Sequence, residues 1–218
     1  MLTKYKLYLI SNLLKEVLIM ITHLRYRILP LLIMFFSFSL ISCSSTNHNF
    51  IKESISITSI DPSLETELVT LKEFEFYIPT SWCKLSYESD TSATYAPINR
   101  NSDTNSSNVN VTIKKDTSNI TLNDIIENLE ESVISNILNT IPSAKDFVYD
   151  VYTSSLGDVL VIDYNYIDDN TSLSINATQF LLLYNNFSIA ITSSDIGDKV
   201  VPSPDVVSKN ILDTLKLH

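Results

Sequence analysis

The feature that most restricts how this chain can fold lies in its second half, where four β-type runs follow one another with little between them. Phe147–Thr153, Val159–Ile167, Ser172–Tyr184 and Phe187–Ser193 are rich in Val, Ile, Tyr, Phe and Thr, the side chains that suit a pleated, half-buried surface. They are joined at Ser154–Asp158, Asp168–Thr171 and Asn185-Asn186. Parallel neighbours need a crossover of about a dozen residues or more, and the last two joints are too short for one. They predict hairpins, and so an antiparallel meander.

Ahead of the meander the apolar period changes. Leu122, Ile125, Ile126, Leu129, Val133, Ile134, Ile137, Leu138 and Ile141 predict one amphipathic helix over 121–141. Thr121 can cap it, Asp124 completes a variant capping box, and Glu127, Glu130 and Glu131 add negative charge toward the positive end of the helix dipole. Pro142 follows its end. Ser203-Pro204-Asp205 predicts the start of a second helix, with serine as cap, proline at the first position, and Val207, Ile211, Leu212 and Leu215 as the apolar face. Earlier strands are expected where Phe74, Phe76 and Ile78 alternate with polar neighbours up to Pro79, at Cys83–Glu88, at Ser92–Pro97, and around Val109, Val111 and Ile113. A short strand is expected through Ile55, Ile57 and Ile60, ending at Asp61-Pro62. The sequence has no internal repeat and predicts no second domain.

The N-terminal segment reads as an address. Residues 28–42 are an uncharged run of 15, shorter than the roughly 20 residues a helix needs to cross a bilayer, and Arg25 and Arg27 precede it. The run ends in Leu40-Ile41-Ser42-Cys43, which resembles the lipobox of bacterial lipoproteins. That resemblance implies cleavage after Ser42, a thioether-linked diacylglyceryl group on Cys43, and further acylation of the new amino terminus. Two or three acyl chains hold a protein stably where one does so only marginally. The alternative is an uncleaved signal anchor in which Cys43 is an ordinary small apolar residue. Counted from Met20 the signal has 23 residues, within the usual range of about 15–30, which makes Met20 the candidate start. The expected organisation is a signal peptide at 1–42, a lipidated cysteine and flexible tether at 43–66, and one globular domain at 67–218. Ser44 is not the aspartate that retains some lipoproteins at the inner membrane. The expected location is the bacterial envelope: the outer membrane facing the periplasm in a Gram-negative cell, otherwise the outer face of the cell membrane.

Charge and residue inventory exclude several chemistries. The net charge is −10, and the segment after residue 42 carries 10 basic and 24 acidic side chains, a body that repels phosphate backbones, so nucleic acid is not an expected partner. Gly157 and Gly197, the two glycines, cannot build a phosphate-cradling loop. His23, His48 and His218 all lie near an end, which leaves the body without an imidazole for a triad or a zinc site. Cys83 is the remaining thiol; with no histidine to activate it, it reads as a small packed side chain. Asp158, Asp163, Asp168 and Asp169, with Asn165 and Asn170, invite a calcium reading, but no calcium-loop spacing is present and Asp168–Thr171 is ordinary turn composition. No metal, cofactor or catalytic residue is expected. Trp82, Tyr87 and Tyr95 are the candidate binding surface, with Tyr77, Tyr164, Tyr166 and Tyr184 as further aromatics, against the plainer reading of all of them as core or sheet-face residues.

A strand closing in Ile78-Pro79-Thr80-Ser81-Trp82, a tyrosine-bearing strand, a polar loop, a Val-x-Val strand, one amphipathic helix, an antiparallel meander ending in Ser188–Thr192 and a closing helix together resemble the PsbP-like lipoproteins, including the DcrB-like group, over residues 70–217. The resemblance implies an α+β fold: an antiparallel sheet flanked by helices in an α/β/α sandwich. It implies little about activity, since such a fold hosts many roles. The leading expectation is a non-enzymatic envelope lipoprotein, held in the membrane through Cys43 and presenting its domain to a protein partner. The alternatives are a lipoprotein that binds a small apolar ligand and a carboxylate-based hydrolase.

Overall fold

The computed structural model describes residues 51–85, 89–98 and 106–218, and its central layer is an eight-stranded sheet. In spatial order its strands are β1 (Ile51–Lys52), β7 (Lys145–Ser154), β8 (Gly157–Ile167), β9 (Ser174–Tyr184), β10 (Phe187–Asp195), β6 (Asn108–Lys115), β5 (Ser92–Pro97) and β4 (Trp82–Lys84). Every neighbouring pair is antiparallel except β1 beside β7. A second sheet orders β11 (Lys216–Leu217), β3 (Phe74–Pro79) and β2 (Thr66–Leu71). The helices are α1 (Leu122–Glu127), a π-helical turn at Glu130–Ile134, α2 (Ser135–Thr140) and α3 (Pro204–Thr214).

The meander forms as its short joints require. Asn185 and Asn186 carry β9 into β10 with φ of 48° and 61°, the left-handed pair that a two-residue turn needs to match strand twist. Asparagine tolerates that region better than most residues. The β7–β8 joint is tighter than its composition predicts: Ser155 and Leu156 alone separate the strands, and Gly157 follows at φ 130°, a conformation that favours glycine.

The pleat sends alternate side chains to two different layers. Val159 and Val161, Phe180 and Leu182, Ile189 and Ile191, and Val109, Val111 and Ile113 share one face, and pack with Phe74, Phe76 and Ile78 of the small sheet and Val207, Ile211 and Leu212 of α3. Their neighbours Leu160, Ile162 and Leu181 point the other way and are also buried. On that side α1 packs against β8, and Ile125, Leu129, Val133, Ile134 and Ile137 are the buried positions of the helical stretch. The result is an α+β sandwich with helices on both faces of an antiparallel sheet, as expected, one face being shared between α3 and the small sheet.

The helical stretch departs from the expected single α-helix. Its capping box is present, with Asp124 N–H donating to Thr121 Oγ1 and Thr121 N–H to Asp124 Oδ2. After α1 the helix widens, so that Ser135 N–H donates to the carbonyl of Glu130, five residues back. Ile125, Leu129, Val133 and Ile137 follow a four-residue step, which in a 3.6-residue helix overshoots a full turn by about 40° each time. A wider turn in the middle brings the stripe back toward the sheet.

Three other expectations are corrected. Ile55, Ile57 and Ile60 form no strand; the strand is Ile51–Lys52, and Ile55 and Ile57 pack against the core instead. Residues 51–57 are therefore applied to the body within the span expected as a flexible tether at 43–66, and Thr66 already begins β2. The cap of α3 is made without the serine side chain: Ser203 Oγ forms no capping hydrogen bond, while Pro204 occupies the first turn as expected. The expected signal peptide, Met20 and Cys43 lie outside the described residues.

Candidate functional site

The aromatic platform expected at Trp82 and Tyr95 does not exist as a surface. Trp82 is 1% exposed and Tyr95 0%, and the Tyr95 ring meets Phe76 edge to face at 6.0 Å. Both side chains fall on the core side of the β4–β5 edge, where large rings remove the most apolar area from water. Tyr87 lies outside the described residues. Tyr164 is buried in a stack between Phe147 and Tyr166, at ring distances of 5.5 and 6.2 Å, and Tyr184 packs half-buried against the core. Tyr77 does reach solvent, beside its exposed cross-strand partner Leu68 on the outer face of the small sheet. Cys83 is half-buried and free.

The aspartates separate in the same way. Asp158 accepts a hydrogen bond from Thr153 Oγ1 across the β7–β8 hairpin. Asp168 organises the β8–β9 turn, accepting from Thr171 Oγ1 at 2.5 Å and, through its carbonyl, from Ser172 N–H at 2.7 Å. Those are turn bonds of the expected kind. Among the described residues no group of three His, Cys, Asp or Glu side chains is placed to hold a metal ion.

Asp163 is different, because fold and not sequence brings other acids to it. It lies on the α3 side of β8 in a polar row with Thr178 and Ser193. Burial pushes its carboxyl above the ordinary carboxylate value, against a lowering hydrogen bond from Thr178, and the charge of Asp205 adds to the rise. Asp205, in the first turn of α3, is raised by burial as well, with Asp195 as its charged neighbour. Asp195 and Asp198 are in turn bound to buried Ser107: its hydroxyl lies 2.6 Å from Asp198 Oδ1 and 3.1 Å from Asp195 Oδ1 as donor and accepts from Ile196 N–H at 3.2 Å, and Gly197 N–H also donates to Asp195 Oδ1, at 2.7 Å. Strand β8, the end of β10 and the start of α3 thus converge on a line of carboxyl groups that no spacing in the sequence predicts.

An acid–base pair for bond cleavage needs two carboxyls whose environments drive their pKa values apart, one held neutral and one ionised. Asp163 and Asp205 are moved in the same direction and by the same first cause, burial. That pattern belongs to carboxyls buried at a helix docking point, with the like charge of a neighbouring carboxylate adding to it.

No protein-family model matches the chain, and no curated protein matches it. Solved structures do. The cyanobacterial PsbP protein CyanoP of Synechocystis sp. PCC 6803 aligns with a TM-score of 0.50 at 13% identity, over 76% of this chain and 98% of its own. LpqN, a protein involved in cell envelope biogenesis of Mycobacterium tuberculosis, aligns with a TM-score of 0.50 at 10% identity, over 71% of this chain and 91% of its own. A protein of Bacteroides thetaiotaomicron aligns with a TM-score of 0.45 at 12% identity, and there the match covers 67% of this chain but 45% of that one. At these identities the likeness is one of fold, and the fold is PsbP-like.

Proposed function

We propose that this protein is an envelope lipoprotein that presents a non-enzymatic PsbP-like domain to a protein partner or an envelope assembly, anchored by diacylglyceryl-modified Cys43. The observation that carries this reading is the lipobox-like Leu40–Cys43 placed eight residues before the first sheet strand. It is supported by a PsbP-like fold shared with an envelope-biogenesis protein. Leu68 and Tyr77, paired across β2 and β3 with their side chains in solvent, supply the apolar surface a partner would bury. Detergent-phase partitioning tests the anchor: the native chain enters the detergent phase, and Cys43→Ala leaves a precursor with its signal attached. In-cell crosslinking from the intact envelope then tests the partner, with a discrete crosslinked species lost in Leu68→Asp as the expected result.

A further inference from the structure

The described chain enters the fold along the edge of the large sheet. Ile51 and Lys52 lie parallel beside Val148 and Tyr149, and the seam continues with Glu53 N–H on Tyr149 O at 3.2 Å and Ile55 N–H on Asp150 Oδ2 at 3.1 Å. Parallel pairing fixes direction: the N-terminal end of β1 faces the start of β7 at Lys145. The same end of the sheet carries the β8–β9 turn at 168–173, because Lys145 pairs with Asn165 and Ser143 Oγ donates to Ile167 O at 2.9 Å.

Distance then restricts how far that end can stand from the anchor. Ile51 pairs with Val148, which pairs with Asp163, four residues short of Ile167 and so about 13 Å from it along the strand direction. Cys43 precedes Ile51 by eight residues, a reach of at most about 28 Å. That reach exceeds the distance of about 13 Å from Ile51 to the turn end, so a chain anchored at Cys43 can bring this end onto the bilayer.

Three large apolar side chains are exposed on this part of the molecule: Ile51 at 54%, Ile167 at 49% and Leu173 at 38%. Ile167 and Leu173 flank the turn and are held there, with Asp168 N–H donating to Leu173 O at 2.9 Å. We propose that this end of the sheet rests on the bilayer, with Ile167 and Leu173 at the lipid interface and Ile51 above them. The proposal rests on the anchor at Cys43, which keeps the contact intramolecular in effect and lets a few apolar groups suffice. Exposed Lys52 and Lys145 are offset by Asp146, Asp168 and Asp169, so the contact is with the zwitterionic interface and not with anionic headgroups.

The test uses the full lipidated chain, purified from membranes and reconstituted in phosphatidylcholine vesicles. In a Cys83→Ser background, Leu173→Cys or Ile167→Cys carries an environment-sensitive fluorophore, and Asn186→Cys carries it at the opposite end of the sheet. The expected result is several-fold stronger quenching by a lipid-borne quencher at 173 and at 167 than at 186. Equal quenching at all three, or stronger quenching at 186, in a chain that floats with the vesicles overturns the orientation alone. A chain that does not float, and whose mature mass lacks the lipid, overturns the anchor and the orientation with it.

Discussion

Asp205 at the start of α3 is near enough to Asp163 on β8 for its charge to raise the proton affinity of an Asp163 carboxyl already raised by burial. The ordinary value of each is 3.8, and both lie above it in the folded chain. A raised carboxyl contributes fully to stability where folded and unfolded chains are both protonated, and that contribution is lost as pH rises through the folded value. Lowering pH from neutral toward the acid range should therefore relieve this corner. Asp61 and Asp124, lowered by hydrogen bonds from Ser63 and Thr121, act in the opposite sense from the exposed surface. The clean observable is the difference between variants: Asp163→Asn should melt higher than the native domain at neutral pH, with the gap closing on acidification. A gap that widens on acidification would reverse the assignment.

The helix layer allows a direct test of packing. Ile137 is buried against the sheet side on which α1 packs, so Ile137→Ala should destabilise the domain by about 2–5 kcal/mol through lost burial and the cavity left behind. Ile137→Asp should prevent stable folding, since a charge would be buried without a partner. Denaturant unfolding followed by circular dichroism reads both.

The β9–β10 turn tests backbone conformation. Asn185 and Asn186 both sit at positive φ, and alanine there costs about 1 kcal/mol or more per residue, whereas Asn186→Gly should be neutral or stabilising. Thermal unfolding of the two variants should give shifts of opposite sign, or a loss against no change.

Much of this architecture is legible in the sequence because its signals are local. Ser92–Pro97 forms β5 at the expected boundaries, the Asn-Asn pair marks its own turn, and Thr121 with Asp124 marks a helix start. Signals fail where local pattern and tertiary environment disagree. In β2, Leu68 points to solvent while Val69 and Leu71 point inward, so three apolar residues give no clean alternation. β1 is two residues long and exists only because β7 offers an open edge. Trp82 and Tyr95 are the candidate binding surface in the sequence against a plainer reading as core, because a ring carries no mark of the face it will occupy; the plainer reading holds, and the β3 layer packs with them. The meeting of Asp163 with Asp205 depends on where α3 crosses the sheet, which no spacing encodes.

The exposed pair on the small sheet separates partner binding from acid chemistry. Leu68→Asp should leave the melting temperature nearly unchanged, since its side chain is in solvent, yet should abolish complementation of a deletion strain. Asp163→Asn and Asp205→Asn should each complement it. Should those two carboxyls prove individually essential in a folded domain, a carboxylate-based reaction would replace partner binding.

The most direct measurement is the intact mass of the mature protein extracted from membranes, together with the mass of its N-terminal peptide. A chain beginning at Cys43 and carrying a diacylglyceryl thioether, with or without a further acyl chain on its amino group, is the expected result. A processed chain with an unmodified Cys43 thiol, or a membrane-bound chain that retains residues 20–42, would contradict the anchor on which the proposed function stands.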